Sequence, residues 1–216
     1  MVFGAESDTG YRLVQLARRE QWTVRAVVRR ERDRNLLEAM GASVLVADPI
    51  ERPEVEAVFA APGAADHAVV CFIGGSPQRN SQGNIHVIDA AAAAGVSRFL
   101  LTTSVGCGDS SVVLDPFVKA FAGKAIRAKN WAETRLKETA MGWTILRSGG
   151  MTVRPGKAGP IAVESSQVVG YINRQDLGDV AWKVLKSPRS TGRIYAAVDR
   201  ARAIHINGEP VVEADL

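Results

Sequence analysis

The chain is poor in cysteine, histidine and long apolar runs. It has 216 residues with only two cysteines, Cys71 and Cys107, which lie far apart and lack metal-ligand spacing. This pattern argues against a disulfide framework or a zinc site and indicates a reducing, cytoplasmic compartment. No run reaches the roughly 18 apolar residues of a membrane span, and we expect no secretory signal before the first strand.

The chain also has only a small excess of charge of one sign. Lys and Arg number 27 against 23 Asp and Glu, so the formal net charge is +4. This mild excess, without aromatic residues interleaved among basic runs, argues against a nucleic-acid partner. Hydrophobic residues make up 46% and charged residues 23%, which is typical of a globular protein. We expect a single domain over residues 1–216, because the length suits one α/β unit and no linker or repeat is visible.

Apolar runs alternate with helical patterns along the chain. Continuous apolar strands of this kind indicate a parallel sheet covered by helices on both faces. The predicted fold class is therefore α/β with a doubly wound parallel sheet, and a small C-terminal substrate or lid region from about residue 148. We predict strands at residues 1–3, 22–28, 43–47, 67–73, 98–103, 143–147, 168–172 and 193–198. The first of these is short, since a central strand normally has about five or six residues.

The helices follow from apolar periodicity and capping residues. The first is predicted to end near Glu20, and others carry Val55, Val58 and Phe59 or end at Gly95. Two separate helices are predicted at residues 116–122 and 126–139. Asp176 is predicted to cap a further helix, whose apolar residues begin at Leu177.

The first strand runs into a glycine-bearing turn. Gly4 and Gly10 occupy the outer positions of G-x-x-G-x-x-G, while the middle position is Ser7. Glycine at such a turn lets backbone N–H groups approach a pyrophosphate at a helix N-terminus. Glu6 and Asp8 oppose this use, because a carboxylate within about 6 Å of a phosphate charge costs on the order of 1–3 kcal/mol. Ser7 or Asp8 could instead simply cap the helix at Thr9.

An arginine cluster follows the second predicted strand. The dinucleotide fold places the ribose 2′ substituent at this point, where an acid favours NAD and arginines favour the extra phosphate of NADP. The alternative is an arginine-rich, solvated helix start. The cluster consists of Arg29, Arg30, Arg32 and Arg34.

A set of short motifs, spread over nearly the whole chain, resembles one family. They are Gly4-Ala5-x-x-x-Thr9-Gly10, Val28-Arg29, Ala47-Asp48, Gly74-Gly75, Asp89-Ala90-Ala91, Ala94-Gly95-Val96, Thr103-Ser104, Lys129-x-x-Ala132-Glu133 and Thr144-Ile145-Leu146-Arg147-x-Gly149-Gly150. Together they resemble the atypical short-chain dehydrogenase/reductases, in the NmrA-like NAD(P)H-binding branch that includes biliverdin reductase B. The resemblance implies a Rossmann-like fold and NADP(H) as cofactor.

The resemblance also implies a cofactor site. Gly4, Ser7, Asp8, Thr9 and Gly10 would lie at the pyrophosphate, and Arg29 with Arg30 or Arg32 would hold the 2′-phosphate. Asp48 would lie by the adenine, and Gly74 and Gly75 by the adenosine ribose. Thr103 and Ser104 would face the nicotinamide, Lys129 its ribose, and Gly149 and Gly150 the carboxamide end. The sequence departs from the family at Ser7 and at Ser148, where the family usually has proline.

The chain lacks the usual acid of carbonyl-reducing relatives, a Tyr-x-x-x-Lys pair. Ala125 stands four residues before Lys129, and none of Tyr11, Tyr171 and Tyr195 has a lysine at that spacing. We therefore predict hydride transfer from NADPH to a conjugated small molecule such as a flavin, a quinone or a linear tetrapyrrole. Ser104 and Lys129 are the predicted catalytic residues, with Ser104 or solvent supplying the proton.

Two alternatives stay open. The protein could instead be a non-catalytic NADP(H)-binding redox sensor or assembly factor that acts through a protein partner. In either case we expect a monomer or a homodimer. Thr103 and Ser104 could merely terminate a strand.

Other residues are expected to be structural. We expect Cys107 to be an inert small hydrophobe, and His67, His86 and His205 to be surface or hydrogen-bonded residues. The four tryptophans, Trp22, Trp131, Trp143 and Trp182, are expected in the core. Arg147 could bind an acidic substrate or pair with Glu133 or Asp176.

Overall fold

The computed structural model describes residues 1–216 and contains one large, mostly parallel sheet. Eight strands form it in the order β3-β2-β1-β4-β5-β6-β11-β8. Neighbouring strands are parallel except for β8, which pairs antiparallel with β11 at one edge. The strands are β1 (Val2–Phe3), β2 (Arg25–Val28), β3 (Ser43–Val46), β4 (Val69–Cys71), β5 (Arg98–Ser104), β6 (Gly142–Ser148), β7 (Gly150–Thr152), β8 (Pro160–Val163), β9 (Val168–Val169), β10 (Tyr171–Asn173), β11 (Arg193–Asp199) and β12 (Ile204–His205).

Helices cover both faces of this sheet, which confirms the predicted Rossmann-like class. They are α1 (Asp8–Arg19), α2 (Arg34–Glu38), α3 (Arg52–Ala60), α4 (Asn84–Ala93), α5 (Pro116–Lys137) and α6 (Arg174–Lys186). One core cluster of 23 buried residues lies between the sheet and the helices α1 and α6. A second cluster of 22 lies on the other face, against α3, α4 and α5. None of the helices is both long and apolar enough to cross a membrane.

The strand order reverses beside β1, at the centre of the sheet. The chain moves outward from β1 to β2 and β3, then returns to place β4 on the other side of β1. Ligands of open α/β sheets bind beyond the carboxyl ends of the strands at such a reversal. The first strand has only two residues, one fewer than predicted, yet both Val2 and Phe3 are buried between two neighbouring strands.

Several predicted helix boundaries are wrong. Residues 116–137 form one continuous helix rather than two, because Gly123 can adopt helical geometry and the flanking turns bury Ile126 and Leu136. Asp176 does not cap α6; the cap is Asn173, whose side chain accepts a hydrogen bond from the Gln175 N–H. The helix α1 begins at Asp8, one residue before the predicted start, with Ser7 as its cap.

The C-terminal part of the chain adds two small sheets. The predicted strand at residues 168–172 is split at Gly170, whose carbonyl oxygen accepts from the Gly150 N–H at 2.8 Å. As a result β10 pairs with β7, whereas β9 pairs antiparallel with β12. The following tail runs back along β8, where the Ala214 N–H donates to the Ala162 carbonyl at 2.8 Å.

Candidate functional site

A cavity of about 470 Å³ lies at the carboxyl edge of the sheet, where the strand order reverses. Residues at the ends of six strands, β1 to β6, line it together with residues of β7, α1, α5 and α6. They are Phe3, Gly4, Glu6, Ser7, Asp8, Thr9, Val27, Arg29, Ala47, Pro49, Phe72, Ile73, Gly74, Gly75, Arg79, Thr102, Thr103, Lys129, Ser148, Met151, Arg174 and Leu177. The lining thus includes nine predicted cofactor residues: Gly4, Ser7, Asp8, Thr9, Arg29, Gly74, Gly75, Thr103 and Lys129.

The glycines of the first turn have distinct physical roles. Gly4 has a φ of +74°, a left-handed conformation that favours glycine. A Cβ on Gly10 would lie 2.3 Å from the Gly4 carbonyl oxygen, so Gly10 is required by the close packing of α1 on the turn. Gly10 accordingly lies behind the cavity and does not line it.

Ser7 fits the middle position without strain. Its φ of −76° is an ordinary value for an L-residue, so the backbone does not need glycine there. The Ser7 hydroxyl donates to the Gly4 carbonyl at 2.8 Å and accepts from the Gly10 N–H at 3.1 Å. Ser7 therefore caps the helix while it also lines the cavity, and the two readings of this residue are compatible.

Both acids of the turn face the cavity. Glu6 is exposed and forms no ion pair, whereas the Asp8 carboxylate lies 3.7 Å from the Arg174 guanidinium. Four cationic side chains line the same cavity: Arg29, Arg79, Lys129 and Arg174. Positive charge therefore exceeds negative charge along the walls.

The arginines of the cluster after β2 lie in different surroundings. Arg29 ends up in the cavity wall, half-buried and without an ion pair. Arg30 and Arg32 instead lie within 3.7 and 3.9 Å of Asp33, outside the cavity lining. Of the four arginines in the cluster, only the first after β2 lines this cavity.

The turn after β4 brings in a residue that sequence reasoning missed. Gly74 and Gly75 line the cavity as predicted, but Asp48 does not. The Asp48 carboxylate accepts from Arg79 at 3.0 Å and from the Ile50 N–H at 3.1 Å. Arg79 itself lines the cavity, and its Nε is buried without a hydrogen-bond partner. Its place one turn after a strand-ending Gly-Gly pair is the sequence signal that could have found it.

The end of β5 presents hydroxyl groups to different surroundings. Thr103 Oγ1 donates to the buried Glu133 carboxylate at 2.6 Å. Thr102 lines the cavity, and its buried Oγ1 has no partner. Ser104 is half-buried, makes no side-chain hydrogen bond and lies outside the lining. Alternation along a strand places Thr102 on the same face as Ser104, so Thr102 could have been found from the predicted strand.

The helix α5 supplies Lys129 and the acid one turn beyond it. Lys129 is half-buried, lines the cavity and forms no ion pair. Burial lowers the pKa of its ammonium group, against the opposing influence of Cys107 and Glu133. Glu133 is buried and pairs with Arg147 at 2.7 Å, and Arg147 also contacts Asp109 at 2.5 Å. Arg147 therefore pairs with Glu133 and not with Asp176, and it does not line the cavity.

The two glycines after β6 are needed for packing. A Cβ on Gly149 would lie 2.5 Å from the Gly170 carbonyl oxygen, and one on Gly150 would lie 2.7 Å from the Tyr171 ring. Neither glycine lines the cavity; Ser148 and Met151, on either side of them, do.

The remaining side chains divide between core and surface. Cys71 and Cys107 are free and buried, as expected. Trp182 is in the core, but the core prediction is wrong for Trp22 and Trp131, which are 44% and 62% exposed. None of the three tyrosines lines the cavity.

These walls fit a bound dinucleotide. A glycine-bearing helix N-terminus lies in the same cavity as an unpaired arginine, two glycines after β4 and a half-buried lysine. Two buried polar atoms at its wall, Thr102 Oγ1 and Arg79 Nε, lack partners within the protein. Buried polar groups are normally hydrogen-bonded to protein or to water, so both atoms are available to a polar ligand.

A family model described as NAD(P)H-binding matches residues 4–188. This chain belongs to that family. The match agrees with the resemblance to the atypical short-chain dehydrogenase/reductases. It also makes the protein a member of an NAD(P)H-binding group with oxidoreductases among its structural neighbours.

Three proteins similar to this chain have been described. The chain is 28% identical over 204 residues to the uncharacterized sugar epimerase YhfK of Bacillus subtilis (strain 168), covering 90% of this chain and 91% of the relative. Among solved structures, the anaerobillin reductase ChuY of Escherichia coli O157:H7 is 30% identical with a TM-score of 0.82, covering 92% of this chain and 95% of ChuY. A putative NAD-dependent epimerase/dehydratase from Bacillus halodurans is 22% identical with a TM-score of 0.77, covering 92% of each chain, and shows the shared fold.

Proposed function

We propose that the protein is an NADPH-dependent oxidoreductase that reduces a conjugated small molecule such as a flavin, a quinone or a linear tetrapyrrole. The observation that carries the proposal is the shared cavity, which joins the glycine turn and the unpaired Arg29 to Lys129. When bound, NADPH supplies the hydride. The protein contributes binding, orientation and electrostatics.

Each wall of the cavity has a role in this proposal. Arg29 holds the 2′-phosphate, for which a planar guanidinium is well suited. Gly4, Ser7 and Thr9 lie at the pyrophosphate, and Gly74 and Gly75 pass beside the adenosine ribose. Arg79 adds a second cation near the adenosine end.

The nicotinamide end lies towards β5 and α5. Lys129 donates to the ribose hydroxyls there, and Thr102 Oγ1 is an unpaired hydroxyl that also lines the cavity. Ser104 lies on the same strand face as Thr102 and remains a candidate for the proton, with solvent as the other source. Gly149 and Gly150 shape this end indirectly, through the close approach of β10.

The residues of the cavity wall support this type of acceptor. No tyrosine lines it, so the acid that carbonyl reduction and epimerisation usually require is absent from the wall. An acceptor whose conjugation stabilises the added electrons needs less acid assistance. ChuY, described as an anaerobillin reductase, is a structural neighbour that supports this class of substrate.

The cofactor half of the proposal is tested by calorimetric titration with NADPH and NADH in parallel. We expect NADPH to bind on the order of tenfold or more tightly, because a hydrogen-bonded charge pair contributes roughly 1.5–3 kcal/mol. Arg29→Ala should remove most of that preference and leave NADH binding nearly unchanged. Arg30→Ala is the matched control, since Arg30 lies outside the cavity; equal binding of both dinucleotides by the wild type would contradict NADPH dependence.

The catalytic half is tested by NADPH consumption with a panel of flavins, quinones and biliverdin. Turnover that falls in Lys129→Ala would support the enzyme. Tight NADP(H) binding without turnover of any acceptor would instead support the alternative, a redox sensor or assembly factor acting through a protein partner. The exposed acid Glu6 in the glycine-bearing turn is the observation that favours that alternative.

A further inference from the structure

One arginine connects the phosphate end of the cavity to the substrate-side region. Arg174 is the first residue of α6, and its side chain lines the cavity. Its Nη1 lies 3.7 Å from Asp8 Oδ2, and its carbonyl oxygen accepts a hydrogen bond from Thr9 Oγ1 at 2.8 Å. Because the backbone of Arg174 is tied to the glycine turn, its guanidinium stays within reach of whatever binds there.

Two acids of the glycine turn would repel a bound pyrophosphate, and the positive charge of Arg174 can offset that repulsion. Glu6 and Asp8 both line the phosphate end, where a pyrophosphate would bring further negative charge. Like charges at this separation repel, and the effect is largest where water is displaced. The helix N-terminus offsets only part of that repulsion.

The other cations of the cavity are placed elsewhere. Arg29 follows β2, Lys129 projects from α5, and Arg79 is already paired with Asp48 at 3.0 Å. Arg174 is the cation that contacts an acid of the glycine turn. Its ion pair is long and exposed, with side-chain exposures of 47% for Arg174 and 58% for Asp8. Such a pair contributes little to stability, so the guanidinium is free to redistribute towards a ligand.

We propose that Arg174 is a cofactor-binding residue that balances the charge of Asp8 at the pyrophosphate. This proposal rests on the proposed dinucleotide function. It assigns the helix α6, from the C-terminal part of the chain, a direct role at the phosphate site. Arg174 also follows β10 directly, and Ile172 of β10 is in register with Met151 of β7, which lines the cavity. Arg174 therefore lies next in the chain to a strand that supports the substrate-side wall of the cavity.

The test is a set of charge variants titrated with NADPH at low salt. Arg174→Gln should weaken binding about tenfold, Asp8→Asn should strengthen it, and the double variant should lie within about threefold of the wild type. Arg174→Lys should keep most of the affinity, because the charge is retained. The differences should shrink at about 1 M salt, where the Debye length is roughly 3 Å.

A matched control exists on the same two helices. Arg12 of α1 pairs with Asp179 of α6 at 2.8 Å, away from the cavity. Arg12→Gln should leave NADPH binding unchanged while removing a comparable contact between α1 and α6. Thermal unfolding of every variant separates loss of structure from loss of binding.

The outcomes are distinguishable. If the wild type binds NADPH and Arg174→Gln binds equally well, the role of Arg174 is overturned and the dinucleotide function stands. The same holds if adding Asp8→Asn to the Arg174→Gln variant does not restore NADPH binding, or if Arg12→Gln weakens NADPH binding as much as Arg174→Gln does. If the wild type binds no dinucleotide at all, the function and the role of Arg174 are both overturned.

Discussion

The two cysteines lie in surroundings that suppress their reactivity. Burial raises the pKa of the Cys71 thiol to about 12. Burial, with a smaller contribution from the Glu133 carboxylate, raises the pKa of the Cys107 thiol to about 11. The thiolate is the reactive form, so both side chains stay protonated and unreactive near neutral pH.

We therefore expect neither thiol to react with a disulfide reagent such as DTNB at pH 8 in the folded protein, and both to react in denaturant. The sign of the pH effect on stability follows from the same values. An unfolded thiol ionises near pH 8.5, so the free energy of unfolding should fall as the pH rises from about 8.5 towards 11. Rapid labelling of the native protein would contradict the burial of Cys107.

At the scale of elements, replacing either of two helical glycines by alanine should change the stability of the protein, in opposite directions. Gly10 of α1 would place a Cβ 2.3 Å from the Gly4 carbonyl oxygen, which is backbone and cannot move aside easily. Gly123 of α5 would place one 3.5 Å from the flexible tip of Arg127, an ordinary contact.

Gly10→Ala should therefore lower the free energy of unfolding by about 1–3 kcal/mol, the usual cost of overpacking. Gly123→Ala should raise it by about 0.5–1 kcal/mol, because alanine has the higher helix propensity and lower unfolded-state entropy. Urea denaturation of the two variants checks both signs. A stable Gly10→Ala protein would mean that α1 does not pack on the turn as described.

A buried charge cluster joins β5, α5 and β6. Glu133 accepts hydrogen bonds from Thr103 and Arg147, and both charged side chains are almost completely buried. Arg147 continues to Asp109, in the segment that follows β5. Removing one partner of such a pair leaves an uncompensated buried charge.

Glu133→Ala should lower the free energy of unfolding by about 3 kcal/mol, whereas replacing both partners, as in Glu133→Leu with Arg147→Met, should cost clearly less. Chemical denaturation measures the difference. Glu164→Ala is the control at the exposed Arg193–Glu164 pair, 2.9 Å long, and should change stability by less than about 0.5 kcal/mol. A Glu133→Ala protein as stable as the wild type would show that the cluster is solvated.

At the scale of the whole molecule, the sequence predicts architecture better than contacts. Strand positions and the wrapping of helices follow from apolar periodicity, which is a property of each segment alone. Asp33 pairs with two arginines of the cluster that lie outside the cavity. Packing against Gly170 and Tyr171 likewise accounts for the two glycines after β6. These are contacts between segments, and no local pattern encodes them.

The difference between local patterns and contacts between segments also explains why Arg79 and Arg174 were not predicted from the sequence. Arg79 and Arg174 come from a turn after β4 and from the first residue of α6, far apart in the sequence, and only the fold brings them to one cavity. The family resemblance implies that Asp48 lies by the adenine; in the structure its carboxylate accepts a hydrogen bond from Arg79, and its place at the adenine stays a prediction. The roles of Ser104 and Lys129 in catalysis remain predictions.

The packing of α6 on α1 has a consequence for biosynthesis. A Cβ on Gly178 would lie 2.8 Å from the Thr9 carbonyl oxygen, so the two helices touch closely although about 170 residues separate them. The ribosome completes α6 long after α1 has emerged. The part of the α1 surface that packs on α6 therefore stays uncovered through most of translation. Non-local closure of this kind slows folding and lengthens the time in which a chain can aggregate.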